Sequence, residues 1–393
     1  MNPSQIIEKL RDHINQPFKN VASPQDLIGV DVGFYEENGK VTGLTLKHCN
    51  FTQLPESIMK LGNLKYLNIS SNKVTELPET LGNLKELEEL IASDNQLRSL
   101  PASTSGLTNL KHLKLRNNRI TSLPEGLWRL TNLNELDIGG GNQLEEISEK
   151  IGTLTGLTNL YLDGNTYTTL PKSLGNLKDL IVLDIAHGKL EEIPQSISQL
   201  QSLEFLYVAD SHLRSIPPSL TTLANLRYLN ISENKITRLP ESIGKLTNLI
   251  EFRLYGNQIK TLPETLGNLK NLLELHAQNN ELETLPRGIG NLRKLKYLYL
   301  KGNKITELPK TINQLHELRV VDLRVNKVQK LPEDWSGLNQ LIHIDLRGNR
   351  FHSLPASMGS LPQLEKLDLR WNQLKTIPSW FTLLKEKGCI IYT

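Results

Sequence analysis

Residues 64–78 read LKYLNISSNKVTELP, and variants of this stretch return along nearly the whole chain. The shared pattern is L-x-x-L-x-L-x-x-N-x-L-x-x-L-P. Its closing Leu-Pro or Ile-Pro pair recurs every 23 residues from position 54 to position 377, with a single step of 24, from Leu123 to Ile147, where Ser148 replaces the proline. That longer step contains Gly139-Gly140-Gly141, which we interpret as a bulge that takes up the extra residue. An internal repeat of this length predicts a solenoid in which each copy packs on its neighbours.

Each repeat contains a short alternation of core and surface residues. Leu67 and Ile69 alternate with Tyr66, Asn68 and Ser70, and this period of two is typical of a β-strand. The apolar pair is expected to face the core, with the intervening residues on the inner curve of the solenoid. Fifteen strands of this kind can be placed, and one further step of the register reaches a sixteenth at Ile390 and Tyr392.

Asparagine occupies one fixed position just after each strand. A side-chain amide can both donate to and accept from backbone groups that a turn leaves unpaired, so a structural role is expected. Cys49, Gly188 and Ser211 replace asparagine at three positions. The asparagine column comprises Asn72, Asn95, Asn118, Asn142, Asn165, Asn234, Asn257, Asn280, Asn303, Asn326, Asn349 and Asn372.

The two ends differ from the repeats and resemble caps, which a solenoid needs to cover its terminal core. Residues 1–40 are predicted to form an N-terminal cap of a helix plus a β-hairpin strand, with a primed turn at Asn38-Gly39. The repeats themselves span residues 41–377. Residues 378–393 form the predicted C-terminal cap, in which Trp380 and Phe381 indicate a short helix.

Composition excludes several classes of protein. The 393 residues include 45 Lys+Arg against 42 Asp+Glu, a net charge of +3, too little for a simple nucleic-acid binder. Two cysteines allow at most one disulfide, which favours a reducing compartment. Neither a signal peptide nor an apolar run long enough to span a membrane is visible. We therefore predict a cytoplasmic location, with no membrane and no nucleic acid among its partners.

The period of 23 and segments such as LPETLGNL at residues 77–84 resemble the intracellular Ras-group, or Roco-like, class of leucine-rich-repeat proteins. The resemblance covers residues 41–377 and implies an α/β repeat, a leucine-rich-repeat solenoid of horseshoe shape. Its parallel concave β-sheet would have about 16 strands and be capped at both ends. The class binds other proteins, often in signalling, and some members are scaffolds for small GTPases. The chain lacks the G-x-x-x-x-G-K-[ST] motif of a GTPase module, so a stand-alone array is expected.

Residues at one repeat position become lateral neighbours on the inner face, which turns the sequence into a surface map. Aromatic and charged side chains concentrate in its middle, as in protein interfaces. The alternative to a binding surface is a purely structural role, in which aromatic side chains suit strands and pack on one another. The candidate partner-binding residues are Tyr161, Asp184, His187, Phe205, Tyr207, Asp210, Tyr228, Arg253, Tyr255, His276 and Tyr299.

The last repeats place an aspartate column beside an arginine column. Either these side chains neutralise one another, or they form a stripe that binds an anion or a partner. The aspartates are Asp322, Asp345 and Asp368, and the arginines are Arg324, Arg347 and Arg370.

Catalytic and metal-binding arrangements are weakly represented. Ser211, His187 and Asp210 could be imagined as a triad, but Ser211 stands in the asparagine column and is expected to face the core. A His187–His212 pair lacks further metal ligands. We therefore predict no enzyme activity, no catalytic residue, no metal and no cofactor.

The leading hypothesis is a monomeric protein-binding scaffold that recognises a folded partner on its concave face. One alternative is a regulatory scaffold for a small-GTPase signalling complex, which makes a small GTPase one candidate partner. The other is a secreted or injected effector without a visible signal.

Overall fold

The computed structural model describes residues 2–14 and 16–393 and divides into two compact units, Met1–Leu190 and Glu191–Thr393. The first unit begins with α1 (Pro3–His13), capped by the side chain of Asn2. The second contains α2 (Trp380–Glu386). These α-helices are 11 and 7 residues long, far too short to span a lipid bilayer.

Strands of the first unit form one sheet. β1 pairs with β2 in parallel, β2 pairs with β3 as an antiparallel hairpin, and from β3 onward each strand pairs in parallel with the next. The hairpin turn at Asn38-Gly39 has positive φ at both residues, as a primed turn requires. The strands are β1 (Lys19–Asn20), β2 (Val32–Glu37), β3 (Lys40–Leu46), β4 (Tyr66–Asn68), β5 (Glu89–Ile91), β6 (His112–Lys114), β7 (Glu135–Asp137), β8 (Asn159–Tyr161) and β9 (Val182–Asp184).

Strands of the second unit are parallel throughout, and each pairs with the next at a separation of 23 residues, except the last pair, which is separated by 24. The predicted sixteenth repeat strand is present, but its register is shifted by one residue: Ile391 pairs with Leu367, and Ile390 and Tyr392, predicted one repeat after the core residues Leu367 and Leu369, are exposed. The strands are β10 (Phe205–Tyr207), β11 (Tyr228–Asn230), β12 (Glu251–Arg253), β13 (Glu274–His276), β14 (Tyr297–Tyr299), β15 (Val320–Asp322), β16 (His343–Asp345), β17 (Lys366–Asp368) and β18 (Ile390–Tyr392).

A 3-10 helix follows the Leu-Pro pair in most repeats and closes the core from the side opposite the strands. In the repeat that begins at Leu64, this helix is Glu79–Asn83, and Leu81, Leu84 and Leu87 are fully buried. The other 3-10 helices are Pro24–Leu27, Glu56–Lys60, Ala102–Gly106, Glu125–Arg129, Glu149–Thr153, Lys172–Asn176, Gln195–Gln199, Pro218–Thr222, Glu241–Lys245, Glu264–Asn268, Arg287–Asn291, Lys310–Gln314 and Ala356–Ser360. Coils of strand, turn and 3-10 helix confirm the predicted solenoid.

The asparagine column ties successive coils together, as predicted. Asn257 is buried, and its Nδ2 donates to the carbonyls of Ile231 at 3.0 Å and Leu254 at 3.0 Å. Its Oδ1 accepts the backbone N–H of Ile236 at 3.0 Å. One side chain therefore satisfies backbone groups of its own repeat and of the previous one, which would otherwise be buried without partners.

The residue before each column position has a positive φ, a regularity that the sequence analysis did not predict. Glycine, asparagine or aspartate often stands there, as left-handed backbone favours. In the 24-residue repeat two successive residues, Gly140 and Gly141, have φ of 72° and 95°. The extra residue is thus absorbed in this turn, which only glycine enters without strain.

Tyr167 compensates for the missing asparagine at Gly188. In regular repeats, the column asparagine donates to a carbonyl 26 residues earlier, and at Gly188 that carbonyl would be the one of Leu162. The fully buried Tyr167 hydroxyl donates to this same carbonyl at 3.2 Å. A tyrosine at a position that elsewhere holds leucine, isoleucine, valine or phenylalanine is therefore explained by hydrogen bonding.

We expect Asn257→Ala to lower the free energy of unfolding by roughly 3 kcal/mol, because it leaves several buried backbone groups unpaired. Urea denaturation followed by circular dichroism measures the change. Asn248→Ala is the control, since that exposed amide donates only to the Ala224 carbonyl. Equal losses for the two variants would contradict the assigned role.

We expect Tyr167→Phe to lower the free energy of unfolding by about 1–2 kcal/mol, because the Leu162 carbonyl loses a donor. Adding Gly188→Asn to Tyr167→Phe should restore part of this loss, since the amide can reach the same carbonyl. Gly188→Asn alone should not stabilise the protein. The same urea denaturation tests all three variants, and a double variant no more stable than Tyr167→Phe would argue against compensation.

Candidate functional site

The predicted partner-binding residues fall in both units. Tyr161 and Asp184 end β8 and β9 in the first unit, and His187 occupies an exposed left-handed turn position there. The second unit holds Phe205, Tyr207, Asp210, Tyr228, Arg253, Tyr255, His276 and Tyr299. In most strands the middle residue is buried and the flanking two are half-buried, so the flanking side chains lie on the open face of the sheet, as the register predicted.

Neighbouring side chains on β10–β14 form a continuous series of contacts. The rings of Tyr207 and Tyr228 lie 4.8 Å apart, and the guanidinium of Arg253 lies 5.8 Å from the Tyr228 ring centroid. Further along, His276 stacks on Tyr299 with 4.8 Å between ring centroids. We call this group the aromatic stripe; it comprises Tyr207, Tyr228, Glu251, Arg253, Glu274, His276, Tyr297 and Tyr299.

Charged groups within the aromatic stripe are paired across short distances. Arg253 Nε donates to Glu251, and His276 Nε2 lies 3.0 Å from a carboxylate oxygen of Glu274 and 3.8 Å from one of Glu251. Burial raises the pKa of Tyr228 to about 12 and also raises the pKa of Tyr299, so both hydroxyls stay protonated at neutral pH. The stripe therefore offers neutral rings, phenol donors and one anchored guanidinium.

Glu251, Glu274 and His276 also place one potential metal-ligand atom each within 4.8 Å of one another. In the part of the chain that the structure describes, this is the only such trio of histidine, cysteine or carboxylate side chains. Each member already has a partner inside the stripe, because Arg253 pairs with Glu251 and His276 pairs with Glu274. Ion pairing accounts for the trio, and the predicted absence of a metal stays a prediction.

Sequence reasoning missed Glu274, which orients His276. The repeat register could have revealed it, because Glu274 occupies the same strand position as Glu251 on the adjacent strand. Conversely, among the described residues no ring stacking joins Phe205 or Tyr255 to the stripe, although both are half-buried on the same face.

Ser211, considered above as a nucleophile, is buried. Its hydroxyl lies 3.4 Å from the carbonyl oxygen of Ala209, to which it donates. The side chain thus faces the core, as its place in the asparagine column predicted, and it is not displayed on the open face.

A charged cluster lies on the sheet face of the first unit. Arg116 binds both carboxylate oxygens of Asp163, at 2.9 and 2.6 Å, although these residues stand two repeats apart. Gly139 occupies the repeat between them, and a Cβ there would lie 2.0 Å from Asp163 Oδ1. The absence of a side chain at Gly139 therefore lets the guanidinium reach across a strand.

Asp184 belongs to the same cluster and titrates far from its ordinary range. Burial and the nearby charge of Asp163 raise its pKa to about 6, against the opposing influences of the Ala186 N–H, Arg116 and His187. The ordinary pKa of an aspartate is about 3.9. Since the folded-state pKa is the higher one, Asp184 stabilises the fold fully below about pH 4, and this contribution is lost as the pH rises through about 6.

We expect Asp184→Asn to be more stable than the natural protein at pH 7.5, by roughly 2 kcal/mol, because the amide needs no buried charge. The difference should vanish near pH 3.5, where the aspartate is protonated in both states. Urea denaturation at pH 3.5, 5.5 and 7.5 measures it, with the exposed Asp179→Asn as control. A stability difference that does not shrink on acidification would refute the assignment.

Comparisons with known proteins agree with this architecture. A family model described as a leucine-rich repeat region matches residues 42–165, 215–296 and 283–386, and a leucine rich repeat model matches residues 155–213. No curated protein matches the chain by sequence.

Solved structures include similar proteins. A leucine-rich-repeat protein of Leptospira interrogans is 32% identical, with 96% of this chain and 100% of that chain covered and a TM-score of 0.83. A TDR receptor is 29% identical, with 97% and 67% covered and a TM-score of 0.78. The plant peptide hormone receptor RGFR1, in complex with RGF2, is 28% identical, with 85% and 63% covered and a TM-score of 0.64. Repeat pattern, fold and these likenesses agree: the chain belongs to the leucine-rich repeat proteins.

Proposed function

We propose that the chain is a protein-recognition scaffold and that the aromatic stripe of its second unit contacts the partner. The observation that carries this proposal is the unbroken series of contacts from Tyr207 to Tyr299 on the open sheet face. Tyrosine and arginine supply a large share of the binding energy at many protein interfaces.

The core does not require these side chains. In β11 and β12, the middle residues Leu229 and Phe252 are fully buried, while Tyr228 and Arg253 keep part of their surface in solvent. Half-exposed aromatic rings in adjacent rows leave apolar surface that a partner can cover, and burying it is favourable.

The stripe is also ordered before any partner arrives. Tyr207, Tyr228, Arg253, His276 and Tyr299 each contact a neighbour on an adjacent strand, and Tyr297 stacks on Tyr299 of its own strand. The strands are held by the asparagine column beneath them. A surface whose side chains are already fixed loses little conformational entropy on binding, so a few anchors can dominate affinity.

A relative supports the general role. RGFR1 is a plant peptide hormone receptor whose structure is a complex with RGF2, so a leucine-rich-repeat chain with 28% identity to this one binds a peptide hormone. We infer from it only the class of partner, which is a protein or peptide.

The finer alternatives stay predictions. The Ras-group class, a small-GTPase complex, an effector role, a cytoplasmic location and a monomeric state are each compatible with the aromatic stripe, and none is favoured by a specific contact. We propose no catalytic role.

We expect Tyr228→Ala to weaken partner binding at least tenfold, because it removes the ring between Tyr207 and Arg253. A partner captured from the source cell with the natural protein is purified, and its affinity for each variant is measured by isothermal titration calorimetry. Tyr66→Ala is the matched control, since Tyr66 and Tyr228 begin the identical segment YLNIS in different units. Unchanged affinity for Tyr228→Ala, with the fold intact by circular dichroism, would remove the stripe from the interface.

A further inference from the structure

The aspartate and arginine columns of the last repeats form a layered structure. Each arginine binds the aspartate of its own strand through Nε and Nη2, with the Nη2–Oδ2 distance 2.6 or 2.7 Å. The Nε atoms of Arg324 and Arg347 also lie 3.4 Å from the next aspartate. We call these six side chains the charged ladder: Asp322, Asp345, Asp368, Arg324, Arg347 and Arg370. The predicted mutual bridging is therefore present.

Pairing with the aspartates leaves hydrogen-bond donors of the arginines available. A guanidinium has two edges able to bind a carboxylate, and the aspartate occupies only the edge formed by Nε and Nη2. Among the described residues, the Nη1 atoms of Arg324, Arg347 and Arg370 have no hydrogen-bond partner. Three donor edges are thus held in a row at the spacing of neighbouring strands, about 4.8 Å.

At both ends of the ladder the arginine is the more exposed partner. The side chain of Arg370 is 40% exposed against 1% for Asp368, and that of Arg324 is 33% exposed against 8% for Asp322, whereas Arg347 and Asp345 in the middle are equally exposed, at 21% and 22%. Burial alone would raise the pKa of Asp368, but hydrogen bonds from Arg370 and the charge of Arg347 lower it overall, so this carboxylate stays ionised beneath the arginines. Lys301 extends the arginine row by one exposed cation.

An apolar feature runs beside the arginine row. The left-handed turn positions next to it are Gly302, Val325, Gly348 and Trp371, with φ between 54° and 70°. Left-handed backbone is strained for a β-branched valine and for a bulky tryptophan, whereas glycine adopts it freely. Yet Val325 and Trp371 are 56% and 72% exposed, so burial of these side chains in the core does not offset the free-energy cost of the strained backbone.

Trp371 connects the arginine row with the apolar turn positions. Trp371 lies 5.8 Å from the guanidinium carbon of Arg370 and 6.0 Å from that of Arg347, which holds its ring against the arginine row. Gly348 separates Val325 from Trp371 in the turn column and places no side chain between them; a Cβ at Gly348 would lie 3.7 Å from Val325 Cγ2. Every repeat has a positive φ at this position, and the other repeats fill it with glycine or a polar residue, so valine and tryptophan are the exceptional side chains.

We propose that this surface binds an acidic peptide segment of a protein partner, whose carboxylates take the free guanidinium edges and whose neighbouring large apolar side chain packs over Gly348, between Val325 and Trp371. Charge complementarity selects the acidic residues, and the Val325–Trp371 pair selects the apolar one. The surface adjoins the aromatic stripe, because Tyr299 and Asp322 pair on neighbouring strands, but the two share no residue, so variants can test them individually.

A phage-displayed library of random heptapeptides, selected on the natural full-length protein, tests the proposal. We expect recovered sequences rich in Asp and Glu next to Trp, Phe or Leu. A synthetic peptide of the commonest sequence should lose at least tenfold in affinity for Arg347→Gln by fluorescence polarisation. Arg350→Gln removes the same charge from an exposed arginine of the same repeat and should bind as the natural protein does, as should Tyr228→Ala.

Val325→Gly and Trp371→Gly separate binding from folding. Because glycine relieves the strained backbone, we expect both variants to unfold at the same or a higher urea concentration than the natural protein while binding the peptide more weakly. Loss of stability with unchanged peptide binding would show that these residues serve the fold and would overturn the proposal. It would also be overturned if no acidic sequences are recovered, or if only inorganic phosphate or single-stranded DNA competes at the arginines.

Discussion

The hydrogen bonds of the asparagine column are the constraint on which the rest of each unit depends. Each amide binds backbone groups of its own repeat and of the repeat before it, so a coil cannot shift along its neighbour without breaking several buried hydrogen bonds. A strand slip of one residue would also turn the core leucines toward solvent. Because register is fixed in this way, residues separated by 23 positions become neighbours, and the open face consists of straight rows of side chains.

Fixed register explains why much of the fold could be predicted from the sequence. Leu229 and the polar or aromatic residues beside it give an alternation that only a strand facing a core satisfies. The same argument predicted the last strand but placed its core residues one position off, because the step to that strand is 24 residues and not 23. Helical spacing likewise anticipated α1. The 3-10 helices were not anticipated, since the proline position indicates a change of direction but does not distinguish a 3-10 helix from a turn.

Side-chain pairing was harder to predict, for a physical reason. The repeat determines which strand position a residue occupies, but a long side chain can turn toward its own strand, the next strand or a strand beyond. Arg253 binds Glu251 on its own strand, whereas Arg116 crosses Gly139 to reach Asp163 two repeats away. That crossing depends on the missing side chain of Gly139, a consequence that appears only when three repeats are considered together. Tyr167 is a similar case, since its role follows from an absence 21 residues later.

The charged ladder shows that structural and binding interpretations of one set of residues are compatible. An exposed arginine free of aspartate would move among many rotamers and would lose that freedom on binding. When Asp345 holds Arg347 by one edge, the loss has already occurred during folding, and the other edge points in a defined direction. The aspartates neutralise repulsion among the arginines, which lets three guanidiniums stand on adjacent strands. The same ion pairs that stabilise the last repeats thus prepare their outer edges for a carboxylate, and neither function excludes the other.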